Sequence, residues 1–236
     1  MPNWCCNKLV VSGDDLDKFR ETLDGDNFSL SQIVKIPKIL ERIHKGSRSI
    51  NGITYNGWIE LELYEKMPWE FLTAKMLVEK SNETNWNSED KEKRDCLVIP
   101  VTPTIEGILQ KKYGSADWYE WNLSNLGTKW DADGKVSDDG QSISVWFDTA
   151  WSPPTKWVEN VIEKFPNLEI ELHYSEQGGN FYGTMSASKE GFLIDDKSDL
   201  FLEDVDWDNE DEEDEFFGCT DNYREFRQKH GLGAGG

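Results

Sequence analysis

Two stretches of the chain have a strand–helix–strand pattern, and this repeated pattern constrains the fold more than any other feature of the sequence. The first stretch begins with the β-branched run Trp4–Ser12 and continues into apolar positions at helical spacing over Leu16–Leu23. The second runs from the alternating segment Ser142–Asp148, through a helix over Thr155–Lys164, to the alternating segment Leu168–Tyr174. Both units would bury one face of each strand beneath a helix.

The combination of these units predicts an α+β fold with a ferredoxin-like antiparallel sheet and its helices on one face. Residues 1–27 and 116–194 supply this ferredoxin-like domain. Residues 28–115 are predicted to form an inserted, mainly helical lobe, with one helix over Trp69–Glu79. Residues 195–236 form an acidic C-terminal segment with a short helix.

The charge of the chain is strongly negative, and much of it is concentrated near the C-terminus. The net charge is −21, from 25 basic and 46 acidic residues, and residues 195–215 alone hold thirteen carboxylates against one lysine. Such a charge disfavours binding to nucleic-acid phosphates, which requires a basic stripe, and it also disfavours anionic membrane surfaces. It favours a basic protein or ribonucleoprotein as partner, with no direct contact to nucleic acid.

The acidic run also contains Val205, Trp207, Phe216 and Phe217, so it combines carboxylates with apolar side chains. Carboxylates steer an encounter with a basic surface, and aromatic rings supply area that is buried on binding. An ordered anionic face can also imitate the phosphate spacing of DNA and compete for a nucleic-acid groove. The predicted partner-binding residues all lie in this run: Glu203, Asp204, Asp206, Trp207, Asp208, Glu210, Asp211, Glu212, Glu213, Asp214 and Glu215.

The four cysteines and the N-terminal sequence indicate a reducing compartment. Cys5, Cys6, Cys96 and Cys219 form no C-x-x-C pair, so their spacing predicts neither a zinc site nor a disulfide framework. The opening Met-Pro-Asn-Trp has no basic or apolar signal region, and no apolar run approaches membrane-spanning length. We therefore expect a protein of the cytoplasm that does not insert into membranes.

No catalytic or cofactor-binding motif is present in the sequence. There is no nucleophile elbow, phosphate-binding loop or dinucleotide fingerprint around His44, His173 or His230, and a nucleophilic cysteine would need a nearby base. The alternating carboxylates from Asp206 to Glu210 lack the central glycine and the bidentate glutamate of a calcium loop. We expect no catalytic residues, no cofactor and no dedicated metal site.

Tryptophan is unusually frequent, with 11 residues in the chain. Six of them fall around the second strand–helix–strand unit, and we interpret them as packing between sheet and helices: Trp118, Trp121, Trp130, Trp146, Trp151 and Trp157. The alternative is an exposed aromatic platform. Such a platform would serve single-stranded nucleic acid only together with a positive groove, and Lys129, Lys156 and Lys164 are too few to form one.

Three segments carry a resemblance to a known family. The opening MPNWCCNKLVVSG, the segment FDTAWSPP from Phe147 to Pro154, and YSEQGGNFYG from Tyr174 to Gly183 resemble the YubB-like (Api-type) family of phage and plasmid proteins. The acidic, tryptophan-containing run after Leu202 also resembles the end of that family's proteins. The resemblance implies a ferredoxin-like domain, a mobile genetic element and action in the host cytoplasm, and it supplies no catalytic residues.

Three hypotheses for the function follow. The first is a non-catalytic protein that binds and inhibits a basic host protein through its acidic surface, the target being a nucleic-acid-dependent defence complex such as CRISPR-Cas or restriction. The second is a small enzyme or ligand-binding module that uses the sheet face near Asp148, Trp151, Glu176 and Asn180. The third is an adaptor within the phage particle or replication machinery. The identity of the partner and the oligomeric state stay open.

Overall fold

The computed structural model describes residues 3–50, 52–62, 79–81, 96–176 and 181–196. The chain divides into two compact units, residues 1–35 together with 122–236, and residues 36–121. The first unit is therefore discontinuous in sequence, and the second is inserted into it.

The described elements comprise eleven strands, five α-helices and one short 3₁₀ turn. The strands are β1 (Trp4–Gly13), β2 (Asn27–Ser29), β3 (Ile43–Ile50), β4 (Ile53–Glu62), β5 (Glu79–Ser81), β6 (Cys96–Pro100), β7 (Asp133–Asp138), β8 (Ile143–Ala150), β9 (Leu168–Glu176), β10 (Phe181–Ser188) and β11 (Gly191–Asp196). The helices are α1 (Leu16–Arg20), α2 (Lys38–Glu41), α3 (Pro103–Tyr113), α4 (Trp118–Asn125) and α5 (Thr155–Lys164), and the 3₁₀ turn spans Leu30–Gln32.

The first unit is built on a seven-stranded sheet in the order β11-β10-β9-β1-β8-β7-β2. Each pair of neighbouring strands for which a register is defined is antiparallel. Its four central strands, β9-β1-β8-β7, have the order of a split βαβ fold, in which α1 follows the first strand and α5 connects the third to the fourth. The ferredoxin-like prediction is confirmed.

One face of this sheet is buried because apolar residues alternate along its strands. Along β1 the side chains of Cys5, Asn7, Leu9 and Val11 are buried, and the residues that alternate with them are only partly covered. Helix α5 covers the buried face of the sheet. Its own buried residues form a stripe at helical spacing, namely Trp157, Val158, Val161 and Ile162. Two prolines precede the helix, and its first turn begins directly after them.

The segment from β2 to residue 35 also belongs to this unit. Phe28 packs edge-on against Trp157, with ring centroids 5.5 Å apart, and the Trp157 indole N–H donates to the carbonyl of Leu30 at 2.9 Å. Trp157 is completely buried, so this hydrogen bond satisfies a polar group that has no access to water. Residues 28–35 are therefore part of the first unit, whereas the sequence placed the start of the insert at residue 28.

The second unit contains a four-stranded antiparallel sheet in the order β3-β4-β6-β5. Helix α3 follows β6, begins with Pro103 after the capping side chain of Thr102, and ends at Gly114 in the left-handed conformation. The prediction of a mainly helical insert is thus wrong for the described residues, which hold more strand than helix. The reason is that β3 and β4 form a hairpin around Gly52, a local pairing that the polar, turn-rich sequence did not reveal.

Some predictions lie outside the described residues. These are most of the helix over Trp69–Glu79 and all of the short helix near the C-terminus. Within the part of the chain that the structure describes, no helix is both long and apolar enough to cross a membrane.

Candidate functional site

The predicted partner-binding residues, from Glu203 to Glu215, lie outside the described residues. Of the acidic run, only the backbone of Asp195 and Asp196 is described, at the end of β11. The predicted role of these residues therefore stays a prediction. The candidate site described below lies in the described part of the first unit.

Three exposed tryptophans lie together in this unit, and we call Trp4, Trp130 and Trp151 the tryptophan patch. Their exposed fractions are 46%, 38% and 44%. The ring centroids of Trp4 and Trp130 are 6.4 Å apart, and those of Trp130 and Trp151 are 6.2 Å apart. Three large rings that touch one another while remaining substantially exposed are unusual, because contiguous apolar surface is normally buried or used for binding.

A lysine belongs to the same arrangement. The ammonium of Lys129 lies 4.5 Å from the ring centroid of Trp130 and 4.7 Å from that of Trp151. Both distances are within the range of a cation–π interaction, which extends to about 6 Å. The two rings therefore converge on one cationic group.

The backbone of Trp151 has an unusual conformation. Its φ is +67°, and it is the sole non-glycine residue with positive φ among those the structure describes. A bulky residue in this region costs on the order of 1–3 kcal/mol and persists only where the surrounding structure enforces it. One such restraint is the hydrogen bond from the Trp151 backbone N–H to the carbonyl of Asn3 at 3.0 Å, next to Trp4.

Side-chain hydrogen bonds tie together the two loops that carry Trp130 and Trp151. Ser152 donates its hydroxyl to the carbonyl of Gly127 at 2.7 Å, and Thr128 donates to the carbonyl of Ala150 at 3.1 Å. Thr149 donates to the carbonyl of Ser152 at 2.7 Å, which closes the turn around Trp151. These bonds hold the tryptophan patch in a defined arrangement before any partner arrives.

Beneath this turn lies a buried polar side chain, Asn7, which is 1% exposed. Its amide donates to the carbonyl of Cys5 at 2.8 Å and to the hydroxyl of Thr149 at 2.9 Å. Because β1 and β8 are paired here, Asn7 connects the strand that begins with Trp4 to the strand that ends before Trp151. Two of the segments that carry the family resemblance, at Met1–Gly13 and Phe147–Pro154, therefore meet at the patch.

Cys5 does not have the properties of a nucleophile. Its side chain is fully buried, and burial, followed by the repulsion of Cys6, raises the pKa of the Cys5 thiol well above its ordinary value of 9.0. Since the thiolate is the nucleophilic form, Cys5 is a thiol at neutral pH. Its role is packing.

The second hypothesis placed a site near Asp148, Glu176 and Asn180. Asn180 lies outside the described residues. In the strand register Asp148 is opposite Cys6, whereas Glu176 is opposite Cys5. Because directly opposed residues share a face and consecutive residues alternate, Asp148 and Glu176 lie on opposite faces of the sheet. They do not form one site on one sheet face.

The second unit has a cleft of its own, with a volume of about 510 Å³. Lys45 pairs there with the buried carboxylate of Asp117, which also accepts the backbone N–H of Glu120 at 2.9 Å. Burial raises the pKa of Asp117, but the hydrogen bonds from Lys45 and from the backbone outweigh it and leave that pKa below its ordinary value. The ion pair is internally satisfied, and among the described residues no cluster of three or more histidine, cysteine or carboxylate side chains is arranged to hold a metal ion.

A comparison with protein families agrees with the ferredoxin-like fold of the first unit. A family model described as a ferredoxin-like domain in Api92-like protein matches residues 129–220, which is less than half of the chain and includes Lys129, Trp130 and Trp151. Among solved structures, the chain is similar to the crystal structure of a protein api92 from Yersinia pseudotuberculosis, with 14% identity, 84% of this chain and 98% of that chain covered, and a TM-score of 0.41. No curated protein matches the chain.

The six tryptophans around the second strand–helix–strand unit differ in exposure in a way that the sequence did not show, and two of them, Trp118 and Trp146, are half-buried. Trp157 and Trp121 are buried, as the packing interpretation requires, whereas Trp130 and Trp151 belong to the exposed alternative. Trp4 was assigned to neither group. One feature of the sequence could have predicted the exposure of Trp151. This residue lies directly after β8 and before Ser152-Pro153-Pro154, and a bulky residue in such a turn faces outward.

Proposed function

We propose that the chain is a non-catalytic binding protein of a mobile genetic element, a phage or a plasmid. It acts in the cytoplasm of the bacterial host, where it binds and inhibits a basic host protein or ribonucleoprotein. The class of target that fits best is a nucleic-acid-dependent defence complex, such as a CRISPR-Cas or restriction complex, whose nucleic-acid groove is basic.

The observation that carries this proposal is the exposed and pre-arranged tryptophan patch on an acidic unit. Tryptophan is the residue type most enriched among those that dominate binding energies at protein interfaces, and such anchors cluster. Trp4, Trp130 and Trp151 are clustered, and hydrogen bonds fix the turns that carry them. A patch of this kind is suited to macromolecular contact.

The distribution of charge supports a basic partner for the same unit. Residues 36–121 hold 12 basic and 14 acidic residues, so the insert is close to neutral. Residues 1–35 and 122–236 hold 13 basic and 32 acidic residues, so the unit that carries the patch holds most of the net charge. Long-range attraction would bring a cationic macromolecule toward this unit, and the rings would then supply the buried area.

The same charge argues against nucleic acid as the direct ligand of the patch. Aromatic stacking of bases works together with a positive groove that neutralises phosphates, and the surrounding unit repels phosphates. The mobile-element setting and the cytoplasmic location rest on the resemblance of the segments that meet at the patch. Inhibition of a defence complex follows from that setting, because an acidic surface can compete with nucleic acid for a basic groove.

Affinity capture from a bacterial host lysate tests the proposal. The full chain is compared with a patch variant, Trp130→Ala combined with Trp151→Gly, in which glycine suits the positive φ of residue 151. The control is Phe192→Ala, which removes another exposed ring, 47% exposed, from β11 of the same unit. We expect wild type and control to capture the same basic protein at low salt, and the patch variant to lose on the order of 30-fold in affinity.

Two results would contradict the proposal. One is that no basic protein is retained at low salt by the wild-type chain. The other is that the captured protein is retained equally by the wild type, the control and the patch variant, since the rings would then play no part in binding.

A further inference from the structure

We infer that β11 and the groove beside it form a docking site for an extended basic segment of another protein, which adds to the sheet as a further strand. The segment is recognised by its backbone and by an alternation of apolar and basic side chains. This site is separate from the tryptophan patch, because β10 and β9 lie between β11 and β1 in the sheet. The inference therefore does not rest on the proposed function.

β11 is the end strand of its sheet. It pairs with β10, and no other strand in the described part of the chain pairs with it, so the N–H and C=O groups of alternate residues point away from the sheet. Three consecutive apolar residues on it, Phe192, Leu193 and Ile194, are 47%, 71% and 48% exposed. Edge strands are commonly protected by lysine, proline or a bulge, but β11 contains neither residue type and pairs with β10 without a register shift. The backbone edge is therefore open to another strand.

The two faces of β11 differ in what they offer to an added strand. Phe192 lies opposite Ala187, and Ile194 lies opposite Met185. Because Ala187 and Met185 are buried, Phe192 and Ile194 continue the apolar face of the sheet at its edge. Leu193 lies on the other face, since consecutive residues of a strand alternate. An added strand would place apolar side chains beside Phe192 and Ile194, and its alternate side chains beside Leu193.

The face that carries Leu193 has a groove of about 640 Å³ next to the strand. Three exposed carboxylates line this groove, Glu169, Glu171 and Glu190, and none of the described residues that line it is basic. Glu171 also contacts His173 at 3.2 Å. Lysine or arginine side chains of an added strand would meet these carboxylates, whereas acidic side chains would be repelled.

Charge favours a basic segment over a second copy of this chain. The unit holds 13 basic and 32 acidic residues, so two copies repel each other. The antiparallel register that matches the apolar residues of two copies places Leu193 opposite itself. In that register Glu190 of each copy would lie opposite Asp196 of the other. Like charges directly opposite each other destabilise a pair of strands, so β11 is poorly suited to pairing with itself.

The test uses the full chain and a short peptide of alternating valine and lysine as the probe, with affinity measured by calorimetry. Two modified peptides keep every side chain: in one the valine amides are N-methylated, and in the other the lysine amides. Alternate amides of a strand point to opposite sides, so only one of the two sets faces β11. We expect one modified peptide to bind like the unmodified one, and the other to bind at least about tenfold more weakly.

The role of the groove is tested with the double variant Glu169→Gln and Glu190→Gln. The matched control is Glu21→Gln with Glu163→Gln, which removes two exposed carboxylates of the same unit outside the groove. We expect the groove variant to bind the peptide about three- to tenfold more weakly than the control variant. The patch variant should bind the peptide as tightly as the wild type, because it leaves β11 unchanged.

Full affinity for both N-methylated peptides, or equal affinities of the two glutamine variants, would overturn the inference. A peptide of alternating valine and glutamate that binds as tightly would overturn the assignment to a basic segment. Dimerisation of the chain in sedimentation experiments that is lost on Leu193→Lys would assign the edge to a second copy and would also overturn it. None of these outcomes alters capture through the tryptophan patch, so the two proposals fail separately.

Discussion

At the scale of single residues, exposure and backbone conformation separate the tryptophans by role. Trp157 is buried, and its indole donates to the carbonyl of Leu30, so it stabilises the packing of α5 on the sheet. Trp151 is exposed and holds a positive φ, a backbone conformation that costs free energy for a bulky residue. The second pattern is typical of a residue placed for recognition.

Substitutions at residue 151 test whether the positive φ is strained. Trp151→Ala and Trp151→Gly both remove the ring, but only glycine adopts the left-handed region without cost. We expect the glycine variant to have a free energy of unfolding about 1–2 kcal/mol higher than the alanine variant, measured by urea denaturation.

The same pair of substitutions at residue 130 is the control. Trp130 has no positive φ, so glycine there should give a lower free energy of unfolding than alanine, because glycine gains more freedom in the unfolded chain. Alanine more stable than glycine at both positions would show that residue 151 carries no strain.

Asp15 gives a prediction for the dependence of stability on pH. Its carboxylate accepts one hydrogen bond from the ammonium of Lys18 at 2.6 Å and another from the backbone N–H of Asn167 at 3.0 Å. These hydrogen bonds lower the pKa of Asp15 below its ordinary value of 3.8. Because the folded-state pKa is the lower one, the stabilisation is present above the unfolded-state pKa and is lost as the pH falls through the folded-state pKa.

The measurement compares wild type with Asp15→Asn by urea denaturation at about pH 7 and at about pH 3. We expect the free energies of unfolding to differ more at the higher pH and to converge in acid. A difference that stays constant between the two conditions would mean that the ionised form of Asp15 does not stabilise the fold.

At the scale of secondary-structure elements, the sequence predicted those strands and helices whose periodicity is strong. The bounds of β1, β8, β9 and α5 agree closely with the alternation and helical spacing of their residues. β11 was not predicted, because Gly191–Asp196 ends in carboxylates that were assigned to the acidic run. The sheet of the second unit was not predicted either, because the hairpin of β3 and β4 has a polar, turn-rich sequence, and the pairing of β4 with the distant strand β6 leaves little local signal.

Gly13 ends β1, as the sequence predicted. The need for glycine at this position becomes clear only from the three-dimensional structure. Gly13 has φ +106°, and a Cβ there would meet the carbonyl oxygen of Asn167 well inside contact distance. Gly140 has a similar φ of +86°, but a Cβ there would meet nothing within 4 Å. Both glycines therefore have a positive φ, but another chain segment, at Asn167, approaches closely only at Gly13.

Alanine substitution at these two glycines separates the effects. Gly140→Ala should lower the free energy of unfolding by about 1–2 kcal/mol, the cost of the left-handed conformation alone. Gly13→Ala should lower it by at least about 3 kcal/mol, because overpacking against the Asn167 backbone adds to that cost. Equal effects in urea denaturation would mean that the segment around Asn167 moves away freely.

At the scale of the whole molecule, charge and the tryptophan patch lie on the same unit. The insert is nearly neutral, so the strong negative charge that the sequence shows is a property of the ferredoxin-like unit and of the residues that follow it. The sequence alone predicted an acidic binding surface but could not locate the patch, because Trp4, Trp130 and Trp151 meet only when β1 and β8 are paired. In the proposed function, long-range steering by charge acts together with an aromatic anchor.

The most direct test of steering by charge together with an aromatic anchor is a dissociation constant measured over a series of salt concentrations. It is measured for the full chain and the basic protein that the chain captures. We predict that affinity falls steadily with salt, because exposed charges are screened beyond a Debye length of about 8 Å at physiological ionic strength. The patch variant should bind more weakly at every salt concentration with the same slope. A chain in which the carboxylates from Glu210 to Glu215 are replaced by amides should show a shallower slope. An affinity that is independent of salt, and unchanged in both variants, would contradict the account.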